Sequence, residues 1–91
     1  MNKKEMVKVL AKIARENNYV KSDMLNAVYD GLTIEESAFI ASAIEYMFDP
    51  YSYQMVIDGK ANNSGENVVY NNYTYILTAS STSITLFKRV V

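Results

Sequence analysis

"TIEESAFIASAIEYMFDPYSYQMVIDG", residues 33–59, contains the change of period on which the fold turns. Up to Phe48 the apolar residues recur at helical spacing. Ile34, Phe39, Ile40, Ala43, Ile44, Tyr46, Met47 and Phe48 cover most of a wheel drawn at about 100° per residue. The polar arc holds only Glu35, Ser42 and Glu45, with Ala38 between them. Thr33 and Glu36 have the spacing of a capping box at the start. Asp49-Pro50 ends the helix, because a residue before proline is pushed out of the helical region. Beyond it Tyr53, Met55 and Ile57 alternate with Ser52, Gln54 and Val56, the period of a strand, and Asp58-Gly59 is a strong turn signal. This stretch therefore predicts a helix over about 34–48 and a strand over about 52–58. A helix so apolar is the centre of the fold, or it pairs with another subunit.

Working back from that helix, Ser22 is placed to cap a short helix over about 23–30, with Leu25, Val28 and Tyr29 inward. Gly31 fits the left-handed position just past its end. Before it, a helix over about 3–17 is predicted, with Asn2 and Glu5 as its capping box and Asn17-Asn18 as its stop. Met6, Val7, Val9, Leu10, Ile13 and Ala14 share one arc of this helix, and Lys4, Lys8, Lys12 and Arg15 form a narrow stripe away from it.

Working forward, "KANNSGENVVYNNYTYIL" at 60–77 divides into a polar loop, about 59–67, and an extended run. A strand over about 68–78 carries Tyr73, Tyr75 and Leu77 on one face, and a last strand spans about 82–90. In that last strand strict alternation puts Ile84 and Leu86 on one face and Thr85 and Phe87 on the other. The expectation is one α+β domain over 1–91, three helices followed by a three-stranded antiparallel meander.

Composition narrows the function. The chain has no cysteine and no histidine, which removes disulfides, thiolate nucleophiles, zinc–thiolate sites and the usual acid/base group near neutral pH. No enzyme activity, cofactor or metal is expected. Glu35 and Glu36 point about 100° apart on a helix and serve its first turn better than they would a metal or a catalytic dyad. The amphipathic start argues against a secretory signal, and no stretch is long enough to span a bilayer, so a cytoplasmic protein without membrane attachment is expected. Asn62-Asn63-Ser64 and Asn72-Tyr73-Thr74 match the glycosylation pattern by chance on this reading. Charge is unevenly laid out: residues 22–58 hold seven acids and no base, whereas residues 1–21 hold six bases against Glu5 and Glu16.

"SDMLNAVYDGLTIEESAFI", residues 22–40, resembles a helix-turn-helix in its short helix, glycine-containing turn and longer helix. With a helix before it and a hairpin after it, the order is similar to a winged helix. That resemblance implies a DNA-binding regulator, with the lysines of the first helix and Lys60 on phosphates. A recognition helix, however, would meet the groove with Glu35 and Glu36, in a segment with no base to offset them.

The expected function is a small non-enzymatic binding protein acting through protein–protein contact. Compactness, and a wealth of Asn, Tyr, Lys, Ile and Met that suggests AT-rich codons, fit an accessory or inhibitor protein of a phage or mobile element, acting in the cytoplasm of a low-GC bacterial host. The candidate partner-binding residues are Tyr70, Tyr73, Tyr75, Asn62, Asn63 and Lys60, because tyrosine suits a surface that must be both apolar and hydrogen-bonding. Lys4, Lys8, Lys12 and Arg15 are candidates for an anionic partner. Two alternatives stand beside it: the winged-helix regulator, and a self-assembling homo-oligomer joined through the apolar helix and the terminal strand.

Overall fold

A computed structural model describes residues 1–57, 59–62 and 84–91. Three helices, α1 (Lys3–Glu16), α2 (Lys21–Asn26) and α3 (Ile34–Phe48), are followed by strands β1 (Tyr53–Ile57), β2 (Lys60–Asn62) and β3 (Ile84–Arg89). The chain is thus α+β, helices first and an antiparallel sheet after. α1 and α2 both pack on α3, and so do β1 and β3.

α3 begins and ends where its local chemistry dictates. Thr33 Oγ1 accepts from Glu36 N–H at 3.1 Å, and Glu36 Oε1 accepts from Thr33 N–H at 2.9 Å, so both halves of the capping box are made. The Asp49 N–H still bonds Glu45 O at 2.9 Å before proline ends the ladder, and Asp49 Oδ1 accepts from Ser52 N–H at 3.2 Å to turn the chain toward β1. Phe39, Ile40, Ala43, Ile44, Tyr46 and Met47 are buried. The apolar wheel is not buried throughout: Ile34 at one end is 90% exposed and Phe48 at the other 43% exposed.

α1 is capped by Asn2 Oδ1, which accepts from Glu5 N–H at 2.9 Å. Its buried arc is Met6, Val7, Leu10, Ala11, Ile13 and Ala14, with Val9 packed beside it. It ends in a Schellman turn. Tyr19 N–H reaches Ala14 O at 2.9 Å and Asn18 N–H reaches Arg15 O at 3.4 Å, with Asn18 in the left-handed region at φ 53°. Tyr19 follows at φ 60°, uncommon for a bulky residue.

This turn corrects the expected second helix. Val20 N–H bonds Asn17 O at 3.0 Å, and Met24 N–H bonds Val20 O at 2.9 Å, so α2 starts as soon as α1 has stopped. Its N-cap is Val20, with no side-chain bond, and Ser22 lies inside the first turn instead of capping it. The helix ends at Asn26, so Gly31 is five residues past its end and does not take the left-handed cap. Met24 is fully buried, and Leu25 and Val28 pack on the core as expected. Tyr29 does not turn inward: it lies beyond the helix, is exposed, and its hydroxyl accepts from Lys12 Nζ at 3.4 Å.

The sheet order is β2-β1-β3. A meander would have placed the 68–78 segment between the first and last strands, but β1 pairs directly with β3, Met55 opposite Phe87. The expected strand 68–78 lies outside the described residues. The expected loop over 59–67 also needs correction, since Lys60–Asn62 form β2. Ile57 pairs with Lys60, leaving a two-residue turn in which Gly59 takes φ 78°, so the chain returns at once along β1.

Strict alternation fails in β3. Val56 pairs with Leu86 and Ile57 with Ile84, so Thr85 is an extra residue in a bulge. The bulge brings Ile84 and Phe87, three apart, onto the core side together and leaves Leu86 exposed. Phe87 then packs against Phe39 and Tyr46, ring centroids 5.3 Å from each.

Two outcomes check this arrangement. Ile84→Ala is expected to cost about 2–4 kcal/mol in urea unfolding, whereas Leu86→Ala stays within about 1 kcal/mol; equal losses would contradict the bulge. The second concerns acid. The backbone bond from Thr33, then the neighbouring Met1 amine at 3.2 Å, hold the Glu36 carboxyl below its ordinary 4.5. A depressed carboxyl stabilises the fold above its unfolded value and loses that contribution as pH falls through the folded one. Glu36→Gln should therefore lower stability at neutral pH and flatten its decline below about pH 4.5, by urea midpoints across pH.

Candidate functional site

The candidate residues fall into three groups once placed. Lys4, Lys8, Lys12 and Arg15 are all exposed along one face of α1, as their spacing predicts. Ion pairs elsewhere join the Met1 amine to Glu36, and Lys21 to Glu45 at 2.8 Å, the latter tying the start of α2 to α3. The bond to Tyr29 raises the Lys12 pKa above 10.5, and the bond to Glu45 raises that of Lys21. Lys60 and Asn62 belong to β2, immediately after the Gly59 turn. Asn63, Tyr70, Tyr73 and Tyr75 lie outside the described residues.

A concavity of about 500 Å³ lies where α3 passes β3. α3 contributes Glu35, Ala38, Phe39 and Ser42, one stripe at helical spacings of three and four. β3 contributes Leu86, Phe87 and Lys88, and Lys3 from the start of α1 joins them. The groove exists because two positions of the stripe are small: Ala38 and Ser42 leave open the space that Phe39 and Phe87 floor. The polar arc of the helix wheel already held Glu35, Ala38 and Ser42, but the partners across the groove come from β3 and α1, more than eighty residues apart in sequence. Local spacing carries no signal for that meeting.

Lys3 is the most distinctive side chain of the groove. Its ammonium stands 3.7 Å from the centroid of the Phe39 ring, a cation–π contact. Burial lowers its pKa below the ordinary 10.5, and the Glu35 carboxylate opposes that shift. Lys3, Lys88 and Glu35 supply the charged residues of the lining, beside the rings of Phe39 and Phe87. Such a lining can hold an amphipathic anion; it offers no nucleophile paired with a base. Among the described residues, no three acidic side chains are grouped to hold a metal ion, and no helix is long and apolar enough to cross a membrane.

Comparisons with protein-family models, with curated proteins and with solved structures find no match to this chain. Its site must therefore be read from its own chemistry.

The Lys3 environment is directly measurable. In an NMR titration its side-chain ammonium should lose its proton below 10.5, and Glu35→Gln should lower that midpoint further by removing the opposing charge. A midpoint that Glu35→Gln leaves unmoved would separate the two groups.

Proposed function

We propose that the chain is a small non-enzymatic binding protein acting through protein–protein contact, in the manner of an accessory or inhibitor protein of a phage or mobile element in a low-GC host. The observation that carries this reading is the exposure of large apolar side chains on and just after the core helix. Ile34 is 90% exposed and Tyr51 65%, with Phe48 exposed between them in sequence. A helix that gives nearly all its apolar surface to the core, yet keeps such residues in water at its ends, suits contact with another surface. The α1 stripe adds a cationic face for the rim of such an interface, where charge steers encounter more than it holds. Tyr70, Tyr73, Tyr75, Asn62, Asn63 and Lys60 remain proposed contact residues on their chemistry.

The DNA-regulator reading has less support. α3 would be its reading helix, but it packs against α1, α2, β1 and β3, and its first turn exposes Ile34 and Glu35 instead of a base-reading cation.

Capture from a low-GC bacterial lysate tests the proposal with three baits: the wild-type chain, Ile34→Ser/Tyr51→Ser and Tyr73→Ala/Tyr75→Ala. Proteins retained by the wild type and lost by a variant of unchanged melting temperature are the expected result. Identical capture profiles from all three, at matched folding, would overturn it.

A further inference from the structure

The α3–β3 groove has features that a generic contact surface does not need. Its size suits one or two side chains of a bound segment, not a folded surface. Its floor is the tilted Phe39–Phe87 ring pair, and Leu86, exposed because of the Thr85 bulge, stands at one wall. Its charged lining residues are two lysines, Lys3 and Lys88, and one glutamate, Glu35. One of those lysines, Lys3, is half-buried, with its ammonium 3.7 Å from the centroid of the Phe39 ring.

We propose that this groove docks an extended acidic peptide segment of a protein partner. An apolar side chain of the segment lies on the Phe39–Phe87 floor, between Ala38 and Ser42 on the helix and Leu86 on the strand. Carboxylates flanking it reach Lys3 and Lys88. An ammonium moved out of water gains most from an opposite charge brought close in the same partly dry space. Glu35 supplies only a share of that charge to Lys3, and Lys88 stands on the opposite wall. Glu35 also marks the limit of the site, since it repels the anion that the lysines attract. The assignment rests on the reading of the chain as a protein-contact protein and adds the partner's chemistry and the place where it binds.

The test uses the full ¹⁵N-labelled chain and two capped pentapeptides, acidic Glu-Phe-Asp-Leu-Glu and its neutral counterpart Gln-Phe-Asn-Leu-Gln. The acidic peptide is expected to shift the amides of Ala38, Ser42 and Leu86–Lys88, and to bind more tightly than the neutral one. Lys3→Met and Lys88→Met should each weaken it about threefold, the scale of a partly exposed ion pair. Glu35→Gln should tighten it by a similar factor, an effect that a merely structural role for Glu35 would not give. Ala38→Leu places a side chain in the groove at an exposed position, so binding should vanish with the melting temperature kept. Lys4→Met, on the exposed face of α1, should change little.

Equal binding of the two peptides would overturn the proposal, as would an acidic response indifferent to Lys3, Lys88 and Ala38. So would no amide shift from either peptide at millimolar concentration. Each of these failures leaves lysate capture through Ile34 and Tyr51 standing, so failure of the groove is distinct from failure of the contact function.

Discussion

Covering α3 is the demand that the rest of the molecule answers. Ile40, Ala43, Ile44 and Tyr46 face different directions round the helix, and all are buried to within about one percent of their surface. Each large apolar side chain so covered contributes roughly 1.5–3 kcal/mol relative to exposure, and in a chain this short few other sources of stability exist. No single neighbouring helix can cover such a surface. α1 and α2 supply Met6, Leu10, Ile13 and Met24, and the sheet supplies Met55, Ile84 and Phe87. Tyr46 shows how tight the second interface is: it is buried within 5.3 Å of the Phe87 ring.

The sheet bears the marks of that demand. β3 alone would present Ile84 and Phe87 to opposite faces, and only the extra residue at Thr85 lets both reach α3. The same bulge leaves Leu86 outside. Where α3 carries Ala38 and Ser42 the cover is incomplete, and the groove results. Fold and candidate site are therefore two consequences of one helix: its large residues close the core, and its small ones leave an opening beside a partly dehydrated lysine.

What the sequence reveals and what it hides divides along the same line. α3 is readable to the residue at both ends, because a capping box and an Asp-Pro stop act within four positions. α1 is readable for the same reason, with Asn2 at one end and the asparagines at the other. Ser22 misleads because the Schellman turn, which depends on Asn18 and Tyr19 adopting positive φ, restarts the helix before the serine can cap it. The Gly59 turn is legible, but the return strand Lys60–Asn62 is not, being polar and only three residues long. Bulge and groove are invisible for a different reason: both depend on which residues meet across the chain. Charge pattern identifies the α1 stripe; it is silent about Lys3, whose neighbours on α1 are indistinguishable from it in sequence.

The central claim, that α3 is the element the others exist to cover, is tested most directly by native-state hydrogen exchange resolved by residue. Amides from Ile40 to Met47 should be the slowest in the molecule, opening only with global unfolding, with Met55 close behind and α2 and the ends of α1 much faster. If the middle of α3 exchanged by local opening while α1 stayed protected, the account of a core built around that helix would be contradicted.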